Sequence, residues 1–147
     1  MIQACASIEI SQSTEEVSGF IDDFSPIPTW LESSAGLQQV SPESRGAGTR
    51  LRYTYRQGRR TGHMDGAIVS FEPNRRLEMR FEDYLFQVEV SLRLTGGHVS
   101  TQIEHSIIIK PKATFGKLLA PIIGFGNRKQ VAQNLVRLER NIESRTS

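Results

Sequence analysis

The sequence has 147 residues, 37 % hydrophobic and 23 % charged, with 18 basic against 16 acidic side chains and a formal charge of +2. These values exclude a disordered chain and give no reason to expect a nucleic-acid partner. A chain of this length buries roughly 70 % of its unfolded surface, enough for one core, so the whole chain is read as one domain.

The lone cysteine, Cys5, makes no internal disulfide and supplies no metal-ligand spacing, which fits a reducing, cytoplasmic setting. No basic segment followed by an apolar run opens the chain, so no signal peptide is read. The longest apolar stretch, residues 118–125, contains Pro121 and Gly124 and falls far short of the ~20 residues of an integral membrane segment.

In chain order, Ile2, Ala4, Ala6, Ile8 and Ile10 alternate with polar residues or Cys5, the period of a half-buried strand. Ser13 or Thr14 then offers a helix cap, Glu15 and Glu16 suit the first turn, and Val17, Phe20, Ile21 and Phe24 follow at helical spacing. Residues 28–32 read as a second short helix with Pro28 in its first turn. Strands come next: a weak one at 36–40, then 48–56, 63–72, 75–82, 84–94 and 99–110. Residues 57–62 look like a hairpin turn, and Pro73-Asn74 and Gly96-Gly97 mark two more, which implies antiparallel neighbours. Val131, Leu135, Leu138 and Ile142 then repeat at helical intervals. Phe115, Leu118, Leu119, Ile122 and Ile123 extend that pattern upstream, where Pro121, Gly124 and Gly126 kink or loosen it. A meander apolar on one face needs a cover, and the last helix is the only element long enough to supply it.

Four local patterns now stand in order. They are Pro28-Thr29-Trp30 in the short helix and Ser41-Pro42 with Gly46-Ala47-Gly48-Thr49-Arg50 before a strand. Phe71-Glu72-Pro73-Asn74-Arg75-Arg76-Leu77 forms a turn, and Leu94-Thr95-Gly96-Gly97-His98-Val99-Ser100-Thr101 a hairpin. With these the chain resembles, over nearly its whole length, the START-like (SRPBCC) helix-grip superfamily, and within it the polyketide cyclase/dehydrase and lipid-transport family. The resemblance implies an α+β helix-grip fold. A curved antiparallel sheet of six or seven strands wraps around a long C-terminal helix, with two short helices after strand one. It also implies an internal cavity for a hydrophobic or aromatic molecule. The motifs are structural and none is catalytic; the family includes binding proteins, transporters and enzymes, so membership leaves activity open.

His105 is the first polar candidate. It shares strand parity with Ile103, Ile107 and Ile109, so it faces the apolar side, either reaching a ligand or resting as a core histidine satisfied by a neighbour. His63 and Asp65 share one face with Ala67, Val69 and Phe71, either as an acid/base pair or at a solvated rim. Tyr53 and Tyr55 suit a greasy pocket that needs an occasional hydroxyl, or plain core packing. Trp30 either closes the cavity mouth or anchors the short helix. Arg50, Arg52, Arg56, Arg59 and Arg60 form a basic stretch, read as a solvated face paired with Glu78, Glu82 or Glu89 rather than an anion site.

No phosphate loop, nucleophile elbow or zinc motif is present, and the three histidines are scattered, so neither cofactor nor metal is expected. The expected function is binding, transport or sequestration of a hydrophobic small molecule. Trp30, Tyr53, Tyr55, His105, Phe115, Leu119 and Ile122 are the expected ligand-binding residues. The alternatives are a cyclase/aromatase-like enzyme using pocket groups for proton transfer, and a protein-interaction module.

Overall fold

Alternation is realised from the start: Ala4 and Ile10 turn inward and are buried while Gln3 and Glu9 stay exposed along strand β1 (Ile2–Ile10). The computed structural model describes residues 2–31, 34–57, 59–83, 86–111 and 128–146. Helix α1 (Thr14–Asp22) begins where Ser13 caps it, its side chain accepting from Glu16 N at 3.2 Å. It buries Val17, Phe20 and Ile21. Helix α2 (Ile27–Trp30) is one turn with proline near its start, and it buries Ile27 and Trp30.

Strands β2 (Ser34–Gln39), β3 (Arg50–Gln57), β4 (Arg60–Glu72), β5 (Arg76–Glu82), β6 (Phe86–Gly96) and β7 (Thr101–Pro111) follow. With β1 they form a 7-stranded sheet of order β1-β7-β6-β5-β4-β3-β2 in which each neighbouring pair is antiparallel. Every consecutive pair from β2 to β7 is a neighbour, so short turns suffice; only β1 travels, to lie against the last strand. Helix α3 (Arg128–Thr146) packs on β1, β7 and the two short helices. The helix-grip architecture expected from the sequence is the one observed.

Two local expectations need correction. The 57–62 turn is tighter than expected, because Gln57 pairs with Arg60. The face shared by His63, Asp65, Ala67, Val69 and Phe71 breaks at a bulge in β4. The ladder shifts between Ile68 and Ser70, so Val69 is 44 % exposed while Phe71 turns back against the core. One extra residue inverts the parity of everything after it.

The core runs along the inner face of the sheet. Val131, Leu135, Leu138 and Ile142 on α3 are at most 1 % exposed, beside Ile10 and Ile103. Among the described residues, no helix is long and apolar enough to cross a membrane, and no group of three acidic, histidine or cysteine side chains could hold a metal.

Candidate functional site

Away from the seam of α3 with β1 the side chains do not fill the space. A void bounded by β2–β7, α2 and α3 leaves about 80 Å³ for the centres of water-sized spheres. One water needs only ~10–15 Å³ by that measure, so the void is larger than a hydration site. Its wall is almost wholly apolar, with Met64, Phe81, Phe86 and Val90 prominent. A wider hollow of about 330 Å³ lies on the outer sheet face. There Glu78 pairs with Arg93, and Glu89 with Arg80 and Lys110.

The void exists because of glycines on the inward face of β4. Tyr55 lies over Gly62, its ring end occupying the place of a Cβ. Phe81 on β5 lies over Gly66 in the same way. Tyr53 leans on Phe81, with ring centroids 5.4 Å apart. Aromatics laid across glycines form a wall without reaching the opposite side.

Trp30, Tyr53 and Tyr55 all belong to the wall. Trp30 is 2 % exposed. It is fixed by α3, because Arg137 Nε donates to its carbonyl at 3.3 Å and Asn141 Nδ2 donates to Thr29 Oγ1 at 2.8 Å. Its own indole Nε1 is buried and has no hydrogen-bond partner among the described residues. Burial pushes the Tyr53 phenol up to about 12. The Ser34 hydroxyl lies near enough to offset part of this, yet Ser34 Oγ is itself buried without a partner at hydrogen-bond geometry.

His105 faces inward but stands behind the wall. Its Nδ1 lies 3.2 Å from the Ser91 carbonyl, which can only accept, so Nδ1 carries the proton. Nε2 then accepts from Asn134 Nδ2 at 3.4 Å, and Asn134 Oδ1 accepts from Arg137 Nη2 at 2.9 Å. Both ring nitrogens are used within the protein, so the geometry is that of a core histidine. Burial lowers its pKa to about 4, against the opposing hydrogen bond to Ser91. The ring meets Trp30 edge-on at 6.2 Å and braces it from behind. Phe115, Leu119 and Ile122 lie outside the described residues.

The polar group facing the void from α3 is Asn134, which the sequence reading passed over. The signal was present: a buried stripe at 131, 135, 138 and 142 includes position 134, so a polar residue there sits on the core side. His63 and Asp65 do not form a pair. Both are exposed, His63 against Thr54 Oγ1 at 3.0 Å and Asp65 against Arg52 at 3.4 Å. That ion pair also corrects the expected partners of the arginine face. Strand β4 lies between β3 and β5, so Asp65 is the residue across from Arg52, and Glu78 and Glu89 pair elsewhere.

Comparison with known proteins agrees with this architecture. Similar solved structures include a protein of Thermus thermophilus, 18 % identical, with 99 % of each chain covered and a TM-score of 0.75. A START superfamily protein of Mycobacterium smegmatis is 16 % identical over 98 % of this chain and 99 % of that one, with a TM-score of 0.73. The Zhui aromatase/cyclase of a Streptomyces species is 10 % identical over 99 % of this chain and 95 % of that one, with a TM-score of 0.71. At such identities the likeness concerns the fold alone. No curated protein matches the sequence. The family described as polyketide cyclase/dehydrase and lipid transport matches residues 1–143. With nearly the whole chain matched and the helix grip in place, the protein belongs to the polyketide cyclase/dehydrase and lipid transport family.

Proposed function

We propose that the protein binds a hydrophobic small molecule in the void between the sheet, α2 and α3, acting as one ligand-binding domain in the cytoplasm. The observation that carries this reading is the void itself, walled by apolar and aromatic side chains that glycines on β4 hold back. Trp30, Tyr53 and Tyr55 are the proposed contacts. The exposed lone thiol of Cys5 fits a reducing compartment.

A proton-transferring cyclase is less well supported. Such chemistry needs a group that ionises near neutral pH. Tyr53 is shifted up to about 12 and His105 down to about 4, both away from that range. An interaction module is also less well supported, since Val40, Val69, Val99 and Val136, the exposed large apolar residues among the described ones, lie on separate segments.

The test is saturable binding of a fluorescent apolar probe to the folded protein. Val90→Trp, which places an indole in the void, should abolish binding while the protein stays folded. Binding that survives Val90→Trp would place the probe elsewhere, and its absence from the native protein would end the proposal.

A further inference from the structure

Charge is not spread evenly along this chain. Six of the 18 basic side chains, and none of the 16 acidic ones, fall between Glu43 and Asp65. The rest of the chain carries four more acids than bases. One of the six, Arg45, turns inward over the Phe24 ring at 4.0 Å and donates to the Asp22 carbonyl. Arg50, Arg52 and Arg56 share one face of β3 and are exposed, as is Arg59 in the turn beyond. From Arg50 to Arg56 the strand runs ~20 Å, so the array is long.

Ion pairing accounts for only part of it. Arg52 meets Asp65 at 3.4 Å, and Arg50 lies in the field of Glu43. Arg56 and Arg59 have no acidic partner among the described residues. The glutamates expected to neutralise this face lie farther across the sheet, where Glu78 pairs with Arg93 and Glu89 with Arg80 and Lys110. The outer face is therefore balanced from β5 to β7 and cationic along the margin from β2 to β4, and edge strand β2 adds no charge. An exposed array of one sign is a field that attracts polyanions. Thr54, Thr61 and His63 stand among the arginines, with none of the stacking rings that single-stranded nucleic acid uses. Val40 flanks the array instead. Its N–H donates to the Arg50 carbonyl at 2.9 Å, and the residue is 50 % exposed. An apolar side chain beside cations suits the boundary between lipid headgroups and acyl chains.

We propose that the outer face of β2–β4, with the β3–β4 turn, docks on an anionic phospholipid bilayer, its arginines meeting lipid phosphates. This goes beyond the binding reading and does not depend on it. Strand β3 joins the two surfaces, with Tyr53 and Tyr55 on the void wall and the arginines on the opposite face.

The test is flotation with vesicles of phosphatidylcholine, alone or with a quarter of phosphatidylglycerol, at low and at physiological salt. The native protein should float with the mixed vesicles and not with the neutral ones, and less as salt rises. The double variant Arg56→Gln/Arg59→Gln should bind the mixed vesicles roughly thirtyfold more weakly, at about fivefold per arginine. Arg80→Gln/Arg93→Gln removes the same charge from the balanced face and should weaken binding by less than about fivefold. Both variants should still take up the apolar probe in the void, so the docking and binding readings fail separately. A native protein that does not float with the mixed vesicles would overturn the proposal. Equal losses in the two double variants would overturn it too, since the attraction would then be to net charge alone. Displacement from the vesicles by an equal amount of phosphate as double-stranded oligonucleotide would assign the face to nucleic acid instead.

Discussion

The two halves of the inner sheet face solve different packing problems. On the β1–β7 side, α3 sets Val131, Leu135, Leu138 and Ile142 against Ile10 and Ile103, all at most 1 % exposed. On the β3–β5 side, aromatics lie across Gly62 and Gly66, and a void remains. The first half uses branched aliphatic side chains at helical and strand periods and closes along the seam of α3 with β1. The second uses flat rings over missing side chains, which makes a wall without filling the space behind it. Stability is therefore expected to reside mainly in the first half and ligand recognition in the second. Trp30, His105 and Asn134 stand on the border, where the closed half fixes the geometry of the open one.

The largest expected difference is in core truncation. Leu135→Ala removes a fully buried side chain from the closed half and should cost ~2–5 kcal/mol in urea unfolding. Tyr55→Leu, at a half-buried wall position, should cost well under that. Equal losses would mean that the void wall is as tightly packed as the α3 seam, and the contrast between the halves would fail.

Acid should weaken the border next. His105 is neutral in the fold, with a pKa near 4 against an ordinary 6.5. The folded state therefore resists protonation while the unfolded chain accepts it. The stability contributed is complete above about pH 6.5 and is lost as pH falls through 4. A shift of that size corresponds to ~3 kcal/mol. Protonation would also place an N–H against the Asn134 amide nitrogen, breaking the contact that aligns α3 with β7. His105→Gln should flatten the dependence of the urea midpoint on pH between those limits. An equally steep slope in the variant would assign the acid transition to other groups.

Alkali should act on the open half instead, and more weakly. The Tyr53 phenol is raised from 10.0 to about 12, so its contribution is present below pH 10 and is lost as pH rises through 12. The expected loss is ~3 kcal/mol at most, since the rise from 10.0 to about 12 is smaller than the fall from 6.5 to about 4 at His105. In a spectrophotometric titration of the chain's three tyrosines, Tyr53→Phe should remove a phenol that ionises near 12. An apolar ligand that fills the void should raise that value further, whereas the acid transition of His105, behind the wall, should not move.

Most of the fold was legible because alternation and helical spacing are local. The strands and the α3 stripe are visible in β3's Leu51, Tyr53 and Tyr55 and in the repeat from Val131 to Ile142. The bulge at Val69 was not, since a sequence shows period two and gives no mark where one residue is skipped. The site was legible in part. Tyr53 and Tyr55 carry apolar bodies on inward strand positions, and parity suffices to place them; Trp30 is an apolar body in the short helix after α1. His105 also obeyed parity, but whether an inward histidine meets a ligand depends on Ser91 and Asn134, 14 and 29 residues away in sequence. Such partners are set by register and helix rotation together. The void follows from Gly62 and Gly66, which as sequence symbols resemble any turn glycine.

Those two glycines give the smallest and most discriminating contrast, because they lie on one strand face and differ in what a methyl group would meet. At Gly66 an added Cβ would run into the backbone carbonyl of Arg80 and the Phe81 ring. A paired strand cannot yield there, so Gly66→Ala should cost ~1–3 kcal/mol, as overpacking does. At Gly62 the obstacle is only the far end of the Tyr55 ring. A ring tip can swing, so Gly62→Ala should change the urea midpoint little. The swing has to go somewhere, and the void is beside it, so the affinity for an apolar probe should change several-fold while stability holds. Gly66→Ala, in turn, should lower stability first. If Gly62→Ala changed stability and left probe affinity untouched, Tyr55 would be a packing residue, and the glycine-backed wall would not be what shapes the site.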